Sequence, residues 1–296
     1  MKQVFRVFWG CTLAAALALT GCGRGGAPGS SGAGSMSGSG SGAMSGGTAG
    51  QEQAWRTGLG VVTEAAGSDR AGKITTAAAA VVLDADGKLA DVMLDELELS
   101  VSGGSTGSVT TPEDVRSKRT KGEDYPLAAA SSLGKGWAEQ ADWFADYLTG
   151  RTPDEVKKLK TDENGKPQDA DLVSGCTIAV DRYRDAVVRA CEQAKALGAA
   201  QGDRATLSLI AADLPQDLAA TDDQDAHVQA DITLAALTVD SDGRVTSAIG
   251  DMTQPQLTVS ADGTVSGPEE PVYTKNEQGD KYGQVGGQAV LGRQQR

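Results

Sequence analysis

The sequence predicts an α+β fold in which duplicated antiparallel β-meander units pack with a few helices inserted between the copies. Two observations carry this expectation. First, Val82-Leu83-Asp84-Ala85-Asp86-Gly87-Lys88-Leu89 is answered by Thr238-Val239-Asp240-Ser241-Asp242-Gly243-Arg244-Val245. In both, an apolar run meets Asp-Gly and leaves as an alternating run, a hairpin signal because Gly accepts the positive φ of a tight primed turn. Second, the chain between the copies carries apolar residues at helical spacing.

The leader sets the compartment. Lys2 and Arg6 precede the apolar run Val7–Leu19, the charge and core of a signal peptide, too short to stay as a membrane-spanning helix. Leu19-Thr20-Gly21-Cys22 resembles the lipobox of bacterial lipoproteins. By that resemblance residues 1–22 are a lipoprotein signal, and Cys22 is the lipid-attachment residue and the new N-terminus after cleavage. Residues 23–50 are almost wholly Gly, Ser, Ala and Thr. Such a tether is a coil with an r.m.s. reach of roughly 30 Å. Several acyl chains anchor stably where one does not. The expected location is the extracytoplasmic side of the cell membrane, with the lipid as the membrane contact.

About 245 residues follow the tether, enough for one substantial domain or two small ones. The chain carries −13, and because residues 1–22 contribute two cations and no acid, the remainder carries −15. An acidic surface argues against nucleic acid and against electrostatic docking on anionic lipid. Aromatic residues make up only 4%, so the core is expected from Ala, Val, Leu and Ile.

Taken in order, Trp55–Thr63 reads as a first strand, Ser68–Lys73 as a loop, and Ile74–Leu83 as a strand of small residues. Leu89–Leu94 follows the Asp86-Gly87 turn, and Glu96–Ser102 alternates Leu97, Leu99 and Val101 with Glu98, Ser100 and Ser102, a half-buried antiparallel strand. Lys118–Tyr125 reads as a polar loop. Gly136–Tyr147 reads as a helix, with Trp137, Ala141, Phe144, Ala145 and Leu148 at core spacing and Trp143 and Tyr147 as a second aromatic pair. That pair is either a stacking site for a planar ligand or part of a wide packed face. Thr152-Pro153-Asp154-Glu155 starts a helix that Glu163–Pro167 breaks. Asp181–Leu197 is a helix with Tyr183, Val187, Ala190, Cys191 and Ala194 inward and Gly198 at its end.

The second copy begins near Thr206. Leu207–Ile210 matches Leu59–Val62, Leu234–Val239 matches Ala78–Leu83, Gln256–Ser260 matches Glu98–Ser102, and Thr274–Tyr282 matches Ser117–Tyr125. The chain runs out through Gly286–Val290, so the second copy is expected to lack the long helices. The domain plan is a first α+β unit over 51–200 and a truncated β-rich repeat over 201–296, packed as one globule.

Several chemistries are excluded by count. With Cys11 in the leader and Cys22 lipidated, Cys176 and Cys191 remain, as a disulfide or as two buried thiols. His227 is the one histidine, which removes a histidine zinc cluster and leaves any Ser-His-Asp triad dependent on it; it reads as an exposed strand residue. The acidic turns fail as EF-hand loops, since Val82 and Met93, or Thr238 and Ile249, stand where carboxylates are needed. No nucleophile–base pair is visible, so no enzyme is expected.

Asp171-Leu172-Val173-Ser174-Gly175-Cys176-Thr177-Ile178-Ala179, leading toward a helix, resembles the Asp-x-x-Ser-Gly-Ala-Thr-x-Thr/Ser segment of FMN-binding domains. Trp137-Ala138-Glu139-Gln140 and Thr152–Val156 are similar to a group of bacterial surface proteins bearing such repeats. The resemblance covers residues 57–197, with a partial second copy to 296, and implies an extracytoplasmic electron-transfer module, often a lipoprotein, with flavin phosphate esterified to the last Thr/Ser. Here that position is Ala179, which has no hydroxyl, so covalent flavin is not expected. Non-covalent FMN stays open through Ser174, Gly175 and Thr177 before a helix N-terminus, with Trp143 and Tyr147 as aromatic partners. The expected function is a non-catalytic binding or redox-accessory module. The alternative is a structural lipoprotein that has lost the cofactor and presents a surface to an envelope protein.

Overall fold

The computed structural model describes residues 54–282; the signal segment, Cys22, the tether and Gly286–Val290 lie outside the described residues. The first copy is a four-stranded meander, β1 (Arg56–Ser68), β2 (Ala71–Leu83), β3 (Leu89–Gly103) and β4 (Val109–Thr110), paired in that order. A helical segment follows: α1 (Lys118–Lys121), α2 (Leu127–Ala130), α3 (Trp137–Leu148), α4 (Pro153–Lys157), α5 (Ala170–Val173) and α6 (Asp181–Glu192). The second copy comprises β5 (Arg204–Ala211), β6 (Ala226–Gln229), β7 (Ile232–Val239), β8 (Val245–Thr253), β9 (Gln256–Val259), β10 (Val265–Ser266) and α7 (Lys275–Gln278). Its strands form two three-stranded sheets, β5-β7-β8 and β10-β9-β6.

The first sheet is sandwiched. On β2, Ala77, Ala79, Val81 and Leu83 join a core with the helices, while Ile74, Ala78, Ala80 and Val82 join a core with the second copy. A strand covered on both faces has no polar side to alternate with, which is why β2 reads as an unbroken small apolar run. β7 is buried only at alternate positions, so its sequence alternates. Helix α6 lies directly on β1. A Cβ at Gly58 would stand 2.0 Å from the Ala190 carbonyl oxygen, and one at Gly60 2.0 Å from that of Ala186. Asp91 ties the copies together, accepting from the Ala205 N–H at 2.7 Å and Arg204 Nε at 3.0 Å.

The duplication is present in the hydrogen-bond register. Val82↔Asp91 is repeated as Thr238↔Ser247, Ala71↔Ser102 as His227↔Thr258, and Gly103↔Val109 as Val259↔Val265, each 156 residues on. β6 with β7 therefore corresponds to β2, bent at Ala230-Asp231, and β8 with β9 corresponds to β3, bent at Gln254-Pro255. This corrects the expected match of Gln256 to Glu98: the register pairs Gln256 with Ser100. A slip of two residues preserves the in/out alternation, so side-chain pattern alone does not separate the two alignments.

Other boundaries moved for identifiable reasons. Asp84 and Asp240 accept from the N–H groups two and four residues on, and only the glycines, Gly87 and Gly243, have positive φ in these loops. The ladders end at Leu83↔Leu89 and Val239↔Val245, so the turns are not primed two-residue turns but five-residue loops closed by an αL glycine. The expected Ser68–Lys73 loop is a two-residue turn at Asp69-Arg70, and Leu89–Ser102 is one continuous strand. Lys118–Asp124 is helical, α1 running on into a 3-10 turn, because Ser117 caps Thr120 N–H and Asp95 accepts from the Arg119 N–H at 3.0 Å. α4 ends at Lys157, short of the expected break. α6 stops at Glu192 rather than Leu197 because Lys195 N–H and C=O pair with Thr57 at 2.9 Å each. Cys176 and Cys191 are separate buried thiols, and His227 is exposed on β6.

Candidate binding cleft

A cleft of about 510 Å³ opens where the helical layer thins over β3. On the helix-facing side of β3, Val92 and Leu94 are followed at the same period by Glu96 and Glu98, so two carboxylates continue an apolar row. Lys118 comes from α1, Tyr125 from the turn after it, and Trp137 from the start of α3. Thr177, Ile178 and Ala179 line the cleft from the segment before α6, which itself adds Arg182 and Tyr183. Lys166 arrives on another Asx-capped turn, in which Asp162 accepts from the Asn164 and Lys166 N–H groups at 2.9 Å.

The charges are heavily coupled. Lys118 Nζ lies 2.5 Å from Glu96 Oε1 and 3.2 Å from Glu98 Oε1, and Lys73 reaches Glu98 at 2.8 Å. The Lys118 ammonium also sits 4.8 Å from the centre of the Tyr125 ring. Burial raises the Glu96 carboxyl, and the Lys118 charge offsets this only in part. Burial alone would raise Glu98 too, but the Lys73 hydrogen bond and the Lys118 charge outweigh it and hold this carboxyl at about 2. Burial alone would depress Lys118, yet Glu96 and Glu98 raise it. The Tyr183 phenol, buried beside Glu96, is pushed well above its usual range and accepts from Trp137 Nε1 at 3.1 Å. Two buried polar atoms have no hydrogen-bond partner here: Glu96 Oε1, which meets the ammonium without hydrogen-bond geometry, and Arg182 Nε. The lining holds Lys118, Lys166 and Arg182 against Glu96 and Glu98, a net cationic balance in an acidic chain.

Of the five residues expected to bind a cofactor, Thr177 alone lines this cleft. Its N–H and Oγ1 both meet Gln140 Oε1, at 2.9 and 3.1 Å, and fully buried Gln140 is held in turn by Ser131 and the Lys135 carbonyl. Ser174 and Gly175 close the C-terminal end of α5 rather than opening a helix. Ser174 Oγ donates to the Asp171 carbonyl at 2.7 Å, and the N–H groups of residues 174–176 bond back to Ala170 and Leu172. α6 begins only at Asp181. Gly175 serves packing: a Cβ there would stand 2.1–2.4 Å from three atoms of the Trp143 indole. Lys135 Nζ lies 4.8 Å from the centre of that indole, and the Arg151 guanidinium 4.1 Å from that of Tyr147. The aromatic pair is thus a packed face carrying its own cations, set apart from the cleft.

Sequence reasoning missed Glu96, Glu98, Lys118, Arg182 and Tyr183. A signal was present for the glutamates. A strand beside one buried on both faces is itself liable to be covered twice, so alternation with Leu97 and Leu99 did not mean exposure. No protein-family model, no curated protein and no solved structure matches the chain.

Proposed function

We propose that this chain is a lipid-anchored, extracytoplasmic binding or redox-accessory module that holds flavin, or a similar planar anion, non-covalently in the cleft over β3. The observation that carries the reading is a pocket of ligand-binding size with an unpartnered buried donor, the Nε of Arg182, whose Nη1 donates to Glu64 at 3.1 Å, together with two further cations and aromatic walls. The cleft falls on Thr177–Ala179, the end of the segment that resembles the FMN-binding motif. Arg182 and Lys166 suit the anionic end of such a ligand, and Tyr125, Trp137 and Ile178 its apolar part. The Ala179 methyl stands where an ester would need a hydroxyl, so the residues present fit a non-covalent ligand and not a covalent one.

A second reading is a structural lipoprotein without a cofactor whose surface meets an envelope protein. It is favoured by the internal commitment of the Thr177 donors to Gln140 and of Lys118 to Glu96 and Glu98. Visible absorbance separates the two. Residues 51–296 would be expressed with a flavin transferase and measured before and after acid precipitation. Yellow colour released to the supernatant is the expected result; colour kept in the pellet would refute the reading of Ala179. A colourless protein that takes up no added FMN would leave the structural reading. For the anchor, Cys22→Ala in the full chain is expected to move the protein from the membrane fraction to the soluble fraction, and continued sedimentation with membranes would sink the lipobox reading.

A further inference from the structure

The cleft over β3 has a counterpart in the second copy. One extra residue, Pro271, shifts the correspondence after β10 from 156 to 157. Ser117, Lys118, Arg119, Gly122 and Tyr125 then correspond to Thr274, Lys275, Asn276, Gly279 and Tyr282. The correspondence extends to individual bonds. Asp95 accepts from the Arg119 N–H at 3.0 Å, and Asp251 from the Asn276 N–H at 3.1 Å. Arg119 Nε donates to the Leu94 carbonyl and Asn276 Nδ2 to that of Gly250, both at 2.9 Å. Lys275 sits 4.7 Å from the centre of the Tyr282 ring, as Lys118 does over Tyr125 at 4.8 Å. Tyr282 Oη donates to Gln254 where Tyr125 Oη donates to Glu98.

At this second position lies a cleft of about 340 Å³. The architecture is kept while most of the ionic set is exchanged: Lys73 becomes Gln229, Glu98 becomes Gln254, Glu96 becomes Met252 and Arg116 becomes Tyr273, and the two charges left in the lining, Lys275 over the Tyr282 ring and Glu270, are of opposite sign. Gln229 and Gln254 Nε2 both donate to Asp231 Oδ1 at 2.7 Å, which fixes the orientation of the two amides. The side chain of exposed Gln256 has no hydrogen bond among the described residues, and Tyr273 is 50% exposed at the rim.

We infer that this second cleft is a separate binding site for a neutral, hydroxyl-rich ligand, an oligosaccharide. An amide both donates and accepts, as a sugar hydroxyl does, so neighbouring glutamines pair with successive hydroxyls without the desolvation cost of a charged group. An exposed tyrosine offers a flat apolar body for the C–H face of a pyranose and a polar edge for its hydroxyls. A proline-rich peptide also docks on aromatic grooves, but it brings no cluster of hydroxyls to meet glutamines of fixed orientation.

The test is a microarray of neutral oligosaccharides probed with the labelled full chain in a zwitterionic detergent, followed by titration of the best-retained glycan. Binding to neutral glycans is expected, weakened at least tenfold by Tyr273→Ala and severalfold by Gln256→Ala, with melting temperatures unchanged. Ile210→Ser, exposed on β5 away from the cleft, is expected to bind like the parent. Retention of no neutral glycan, binding indifferent to both cleft variants, or retention of proline-rich peptides alone would each overturn the assignment. FMN uptake does not enter this readout, so the fate of the first cleft is decided separately.

Discussion

Replacing Gly60 by alanine tests the packing that holds the helical layer on the sheet. The new Cβ would lie 2.0 Å from the Ala186 carbonyl oxygen and 2.4 Å from the Ala190 nitrogen. Both are backbone atoms of α6, so no side chain can swing aside. Relief to the 3.0 Å at which real Cβ contacts begin requires α6 to move by about 1 Å. That shift disturbs the buried row Tyr183, Ala186, Val187, Ala190 and Cys191. Overpacking of a close-packed interface costs about 1–3 kcal/mol, and a clash on helix backbone belongs at the upper end, about 3 kcal/mol. For a domain of this size each kcal/mol lowers Tm by about 2–4 °C, so a fall of roughly 6–12 °C is expected in a calorimetric scan. Gly250→Ala is the matched control in β8, where the nearest atom to a new Cβ is 3.9 Å away and φ is not positive. That control is expected to match the parent within about 0.5 kcal/mol. Equal Tm values for the two variants would refute the contact between β1 and α6.

Other outcomes follow from the buried charges and thiols. Lys118→Met leaves Glu96 buried without its cation and is expected to cost about 3–5 kcal/mol in urea denaturation; adding Glu96→Gln should recover part of the loss, and strict additivity would deny the coupling. Glu98 is held down at about 2, below its unfolded value, so it contributes stability above about pH 4.5 that is lost as pH falls toward 2. Glu98→Gln should flatten the denaturation midpoint over that window, and an unchanged slope would rule the contribution out. Burial pushes the Cys176 thiol up to about 11 and the Cys191 thiol up to about 12. Their contribution is complete below the unfolded thiol pKa, near 9, and falls as pH rises from there toward 12, because the unfolded chain deprotonates first. In the native protein both thiols are expected to resist Ellman's reagent at pH 8 and to react at the rate of unfolding; rapid labelling would contradict their burial.

Much of the architecture was legible in the chain. The paired Asp-Gly turns announced the duplication, Ile74–Leu83 was read as a strand of small residues, and the inward faces of α3 and α6 were read at helical spacing. These features follow from local periodicity, which side-chain geometry imposes wherever an element is covered on a known number of sides. The polar residues of the motif were also visible, but their orientation was not. The N–H groups of Ser174 and Gly175 are spent inside α5, and Trp143 lies on Gly175.

What the tertiary structure alone decided is which partners the polar groups meet. A period-two pattern places Glu96 and Glu98 on one side of β3 but does not say what covers that side. Only the helical layer, set close on the sheet by Gly58 and Gly60, turns two strand glutamates into a buried site beside Lys118 and Arg182. The C-terminus of α6 likewise yields to pairing with Thr57, and the true register of β9 emerges only from its ladder with β6. In each case the deciding interaction joins residues far apart in sequence, and its strength depends on burial, which is a property of the packed layers and not of any local stretch.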